Sequence, residues 1–329
     1  MIYSPSLSLI YPFMAYDLEH LVAFGQVVRD LSLDRLYMGQ SMLIDTQQAF
    51  AYLVGRGIEV PVGTSVNLTA LRHPLDAAVQ ARSLALLTGT GTVAGFSTGD
   101  PQFATALHGI PYESPRKAVA QYLTLVRRLL DGEPVGFQGR TLQLEEPLLQ
   151  IPHPPVSLAA GVLRPRTAYT AGQAADVAIT LFTPTDHLKQ HIVPALDRGA
   201  ATRNRARPGV TCIVPFALRT PGRDARKLAF SALEIHLGGG YHAGLLRSAG
   251  LNVDTTDAWA GAGVSVDGGA FLYGTPDDVA TELERYGEAG ATEIVLSCAG
   301  VLLHEGIEAA LSDVRAIVDL MRSRSVQVR

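Results

Sequence analysis

The feature that most constrains this chain is the alternation of short, uniformly apolar or β-branched segments with stretches of helical periodicity. Eight segments read as strands: Ser6 to Phe13, Asp34 to Gln40, Glu59 to Leu68, Thr92 to Gly99, Val156 to Gly161, Asp176 to Phe182, Val210 to Leu218 and Glu293 to Gly300. None shows the alternation of a strand with one wet face, so each belongs in a parallel sheet buried on both sides. Eight successive strand–helix units predict an α/β fold, the closed (β/α)8 barrel. An open doubly wound sheet would carry a glycine fingerprint straight after its first strand, and Tyr11-Pro12-Phe13-Met14 offers none. No internal repeat or linker divides the chain, so residues 1–329 are expected to form one domain. A long insertion of about 221–274, between the seventh and eighth strands, is expected to cap the barrel mouth.

Composition removes several function classes. Apolar residues make up 47% and charged residues 18%, with a net charge of -4, which suits a large core and argues against disorder or unaided nucleic-acid binding. The two cysteines, Cys212 and Cys298, sit inside apolar runs; that is too few for a disulfide framework or zinc cage, and the expected compartment is the reducing cytoplasm. The N-terminus lacks a basic segment followed by an apolar core, and no run reaches the ~18 apolar residues of a membrane span.

Three local patterns have plain readings. Gly89-Thr90-Gly91-Thr92-Val93-Ala94-Gly95 precedes a strand, whereas a phosphate-cradling loop follows one, so it reads as a turn. His187 and His191 share a helical face, but no third ligand is evident, so no metal is expected there. Arg198, Arg203, Arg205 and Arg207 read as a surface coat ahead of a strand. With no nucleophile elbow, P-loop or CxxC present, chemistry must be borrowed from a cofactor. In a barrel it would occur at the C-terminal strand ends: Met38-Gly39-Gln40-Ser41, Thr64-Ser65-Val66-Asn67, Phe96-Ser97-Thr98-Gly99 and Ala160-Gly161-Val162. Such small and amide-bearing residues let a flat ring approach the backbone and hydrogen-bond its heteroatoms. They lack the paired carboxylates of a glycosidase.

Three longer stretches then carry a resemblance: Val60 to Gly99, with GT-x-V and an RHP opening a helix; Ser114 to Leu144, with LLDGEPVGFQG; and Gly274 to Ser297, with GTPDDV before the last strand. In this order and spacing the chain resembles the bacterial luciferase-like family of flavin or deazaflavin oxidoreductases. The resemblance implies a barrel holding coenzyme F420 or FMN at its C-terminal mouth, often in a homodimer. It also implies, for users of the deazaflavin, a non-proline cis peptide in the third strand, here Ser65-Val66. The fifth strand, ending at Ala160, Gly161 and Val162, would lie against the cofactor, and Arg164 or Arg166 at the next helix N-terminus would meet phosphate. The chain departs from the family at Gln40 and Ser41, where several relatives have an acidic residue or histidine, and at Ser97-Thr98, where some have Asn. Thr88-Gly89-Thr90-Gly91 replaces the usual SGGR, which suggests a specialised substrate.

The expected activity is reduction by hydride transfer from reduced F420 to an activated alkene or imine. The substrate would be a specialised metabolite or a modified peptide, with dehydroalanine as one example. Gly39, Gln40, Ser65, Val66, Asn67, Ser97 and Thr98 would complete the cofactor contacts. His73, His108 or Tyr112 would supply a proton, although His73 of the RHP segment also suits a helix cap. The alternatives are an FMN-dependent monooxygenase and a noncatalytic flavin-binding subunit, the latter suggested by the lack of recognisable acid–base residues.

Overall fold

The computed structural model describes residues 5–12, 16–139, 143–238 and 240–327. Phe13, at the end of the first predicted strand, lies outside the described residues. Eight parallel strands form a closed barrel: β1 (Ser6–Tyr11), β2 (Leu36–Met38), β3 (Val62–Leu68), β4 (Thr92–Ser97), β5 (Val156–Gly161), β6 (Val177–Leu181), β7 (Gly209–Leu218) and β8 (Glu293–Ser297). Each pairs with the next, and β8 closes the ring onto β1, with Leu9 opposite Leu296. The expected (β/α)8 architecture is therefore present. β2 is shorter than Asp34 to Gln40 because the Gln40 amide leaves the ladder and bonds to the Val66 carbonyl at 3.1 Å.

Helices follow the strands for local reasons legible in sequence. The first two, α1 (Leu18–Asp30) and α2 (Thr46–Gly55), are capped by Asp17 and Asp45, whose carboxylates accept from the free first-turn amides. Then α3 (Pro74–Thr88), α4 (Pro101–His108), α5 (Pro115–Leu130) and α6 (Pro165–Ala174) each place proline in the first turn, where its missing N–H costs nothing. A π-helical turn, Leu188–Ile192, leads into α7 (Val193–Ala201). A two-stranded hairpin, Phe137–Gln138 with Gln143–Leu144, follows α5.

Every strand sends one side chain into the barrel centre: Ile10, Tyr37, Val66, Val93, Ala159, Ile179, Ile213 and Val295. Below this layer, at the N-terminal end, Glu293 closes the bore. It accepts hydrogen bonds from Ser8 Oγ (2.5 Å), Tyr37 OH (2.8 Å) and Thr211 Oγ1 (2.8 Å), so its buried lone pairs are satisfied by three other strands.

The insertion folds as α8 (Ala225–Leu237), α9 (Gly240–Ser248) and α10 (Ala258–Asp267). It returns through Leu272–Gly274, which pairs with Phe216 to Leu218 at the C-terminal end of β7. The remaining helices are α11 (Pro276–Glu288), α12 (Ala299–Glu305) and α13 (Ile307–Gln327). Asp313 of α13 reaches the top of β7: its carboxylate accepts from the Leu218 amide at 2.9 Å and pairs with Arg223 at 2.6 Å, just where the insertion begins. Among the described residues, no helix is long and apolar enough to cross a membrane.

Candidate active site at the C-terminal mouth

The mouth is organised by an irregularity in β3. Thr64 stands opposite Ala94 of β4, but Asn67 stands opposite Phe96, so β3 carries one extra residue. The Ser65–Val66 bond inside this bulge is cis. The Thr64 hydroxyl ties the bulge down: it accepts from the Gly95 amide at 3.0 Å and from Asn67 Nδ2 at 3.2 Å. Neighbouring strands leave room by having no side chain. A Cβ on Gly95 would collide with the Thr64 carbonyl, and one on Gly39 would stand 3.0 Å from the Ser65 carbonyl oxygen. A Cβ on Gly161 of β5 would stand 3.2 Å from Ser97 Cβ and 3.6 Å from a Val66 methyl.

Two buried polar atoms in the bulge, Ser65 Oγ and Asn67 Oδ1, have no hydrogen-bond partner. Such atoms cost the fold unless something answers them. A strand-end rim with unanswered polar atoms fits the heteroatoms of a flavin or deazaflavin ring.

The other expected cofactor contacts are placed unequally. Gln40 is held fast: its Oε1 accepts from Arg72 at 2.5 Å and its Nε2 donates to the Ser41 carbonyl at 3.0 Å. Ser97 Oγ accepts from the Gly99 amide, while Thr98 is buried directly after β4. Ala160 and Val162 are buried, and the Val162 amide already bonds to the Ile179 carbonyl. Arg166 is exposed at the start of α6. Arg164 leans instead against α9, where a side chain on Gly244 would collide with its guanidinium.

Beside this rim, the expected proton donors all line one cavity of about 440 Å³, bounded by the turn after β3, the end of α4, the start of α5 and the hairpin. Tyr112 OH lies between Thr69 Oγ1 (3.2 Å) and His108 Nε2 (3.1 Å), giving a three-member chain that starts one residue beyond β3. His73 does not join it. Its Nδ1 caps α3 by accepting from the Leu75 amide, and its Nε2 donates to the Gln143 carbonyl at 2.8 Å, so both ring nitrogens serve the fold. Arg72, between them in sequence, is a hub whose guanidinium reaches Gln40, Asp45, Gln47 and Gln80.

A profile of the luciferase-like monooxygenase family matches residues 9–293. The chain belongs to that family. Among curated relatives, the 5,10-methylenetetrahydromethanopterin reductase of Archaeoglobus fulgidus is 23% identical over 230 residues, covering 64% of this chain and 68% of that protein. Among solved structures, the coenzyme F420-dependent tetrahydromethanopterin reductase of Methanopyrus kandleri superposes with a TM-score of 0.71 at 16% identity, covering 94% of this chain and 98% of that one. The monooxygenase RslO1 from Streptomyces bottropensis gives 0.74 at 16% identity, covering 97% and 99%. This luciferase-like chain therefore shares its barrel with F420-dependent reductases and with monooxygenases.

One feature of this luciferase-like barrel escaped sequence reasoning. Phe182, the residue after β6, has φ of 56°, a left-handed conformation unusual for so bulky a residue. Its ring meets His236 of α8 (centroids 5.0 Å apart) and His242 of α9 (5.9 Å), and the two imidazoles lie 4.5 Å apart. Burial pushes His236 down to about 4 and His242 down to about 3, so both are neutral near pH 7. The pair is six residues apart and on different helices, so no periodicity announced it. The i, i+4 histidines do meet, with ring centroids 4.9 Å apart and planes tilted by 44°, but among the described residues no group of three or more acidic, histidine or cysteine side chains is arranged to hold a metal. Arg205 and Arg207 pair with Asp176 and Asp197, and Asp176 directly precedes β6, at the end of the barrel opposite the mouth.

Proposed function

We propose that this chain is an F420-dependent reductase acting on an activated alkene or imine of a specialised metabolite or modified peptide, dehydroalanine included. The observation that carries the reading is the pair of unanswered polar atoms at the β3 bulge, which glycines of the neighbouring strands allow to form. Kinship with a methanopterin reductase over two thirds of that protein's length points the same way. Reduced F420 supplies a hydride when bound, as an obligate two-electron donor. Ser65 Oγ and Asn67 Oδ1 would hold heteroatoms of its ring, and Gly39, Gly95 and Gly161 let the bulge that carries them pack against the neighbouring strands. Exposed Arg166 and the start of α6 would meet its phosphate. Tyr112 is the group we assign to protonate the substrate atom beside the one that accepts hydride, with His108 restoring the phenol proton.

The exposed face of α3 supports a homodimer. Val79, Leu86 and Leu87 are 37%, 45% and 45% exposed there, and Arg82 draws the strand of chain bearing exposed Leu149 onto the same face. Sedimentation velocity tests this. The two buried free thiols are in keeping with a cytoplasmic setting.

Anaerobic titration of the apoprotein with F420 and with FMN tests the central reading. Micromolar or tighter F420 binding, with FMN about tenfold weaker or more, is expected. FMN preference would overturn it in favour of a monooxygenase, and binding of neither would leave a noncatalytic barrel.

A further inference from the structure

The cavity beside the mouth has more in it than the proton chain. Its volume of about 440 Å³ is that of a small-ligand site. One part of its wall is apolar, from Leu71, Ile110 and Phe137, and another carries Tyr112, His108 and Lys117. Cations and anions on this wall are not equally committed. Arg72 is spent on Asp45 at 2.8 Å, and Glu113 is engaged with a partner of its own. Lys117 makes no ion pair among the described residues, so its ammonium is the uncompensated charge of the cavity.

We propose that this cavity is a binding site for a carboxylate borne on a compact apolar group. Lys117 takes the acid, while Leu71, Ile110 and Phe137 hold the apolar body. Lys117 is exposed, which makes the site easy to enter and sensitive to salt. The Tyr112 hydroxyl reaches Thr69, directly beyond the end of β3, so a molecule anchored here extends along the rim toward the bulge. This deepens the reductase reading and rests on it in one respect: the acid becomes the handle by which the substrate is held. Two molecules could bring the carboxylate, namely the substrate or the glutamyl tail of F420.

The test is calorimetry on the apoprotein with 3-phenylpropanoate and with 3-phenylpropanamide, its neutral isostere. The acid is expected to bind with a Kd on the order of 0.1–1 mM, the amide about tenfold more weakly. Lys117→Met should weaken the acid about fivefold to tenfold, leave the amide unchanged and preserve the circular dichroism spectrum. Equal binding of acid and amide, no binding of either, or an unaltered acid affinity in K117M would each overturn the proposal. Competition assigns the source. If F420 displaces the acid and its tail-less deazaflavin headgroup does not, the cofactor tail occupies the site; if acid and F420 bind together, the substrate does. Because the acid titration contains no cofactor, failure to bind F420 with acid binding intact would sink the reductase reading and leave this site standing.

Discussion

Arg72 offers the sharpest test of how the mouth is held in place. Its side chain is 8% exposed and donates to Gln40, Asp45, Gln47 and Gln80, joining the loop after β2 to the start of α2 and the second turn of α3. Arg72→Ala would strand one carboxylate and three amide oxygens. The Asp45 carboxylate is 36% exposed, so water answers part of its loss, and the amides can reorient. A buried bond to a charged group is worth about 1.5–3 kcal/mol, and a net cost of about 3–4 kcal/mol remains after that relief. For 329 residues, an unfolding entropy of about 0.7 kcal/mol/K converts this to a fall in Tm of about 4–6 °C. Lysine keeps the charge but not the planar fork, so Arg72→Lys should recover about half. Thermal unfolding at a fixed scan rate measures both, and F420 titration should show weaker binding in each, because the loop bearing Gly39 and Gln40 loses its anchor. A Tm for Arg72→Ala within about 1 °C of the parent would refute the hub; a Tm for Arg72→Lys equal to the parent's would show that the fork geometry is irrelevant.

Gly95→Ala forces a Cβ against the Thr64 carbonyl in the bulge, so it should cost about 2–3 kcal/mol and abolish cofactor binding, read by thermal melt and titration. His236 and His242 have folded values of about 4 and about 3, below the ordinary 6.5 of an unfolded imidazole, so below pH 6.5 the unfolded chain binds more protons. Their contribution is complete above pH 6.5 and is lost as pH falls, reaching up to about 2 kcal/mol each by pH 5; His242→Phe should flatten the fall in Tm between pH 7 and 5, and an unchanged slope would contradict it. Cys212 and Cys298 are both buried, with thiols pushed up to about 12, so neither should react with a thiol reagent at pH 8 until the protein unfolds.

The barrel was legible because its signal is local and repeated. Buried parallel strands need apolar residues on both faces, and proline or aspartate marks where the helices begin, so each unit declares itself within about twenty residues. The site was legible only in part. Gly39, Ser65 and Asn67 could be found because strand ends in a barrel are where ligands meet the chain. That Gln40 would be spent on Arg72 could not, since the two are far apart in sequence and meet through tertiary folding. His73 could be read either as a cap or as a proton donor, and its geometry is that of a cap with a second bond to Gln143. Thr69, in the turn after β3, meets Tyr112 and His108 from the end of α4 and the loop after it, and His236 and His242 meet from two helices of the insertion. Only the fold's course through space brings such groups together.

The two ends of the barrel have a common dependence on residues synthesised late. Glu293 stoppers the bore from below, and Asp313 pins Leu218 and Arg223 from above. Until β8 and α13 have emerged from the ribosome, Tyr37 and Thr211 lack their acceptor, Arg223 lacks its counter-charge, and the ring between β7 and β1 stands open. Without β8 the other seven strands would form an open sheet with β7 and β1 as exposed edges, the arrangement most prone to pair with a neighbour. Closure of the ring, the Glu293 bonds across the bore and the Asp313 bonds at the start of the insertion all depend on this last part of the chain.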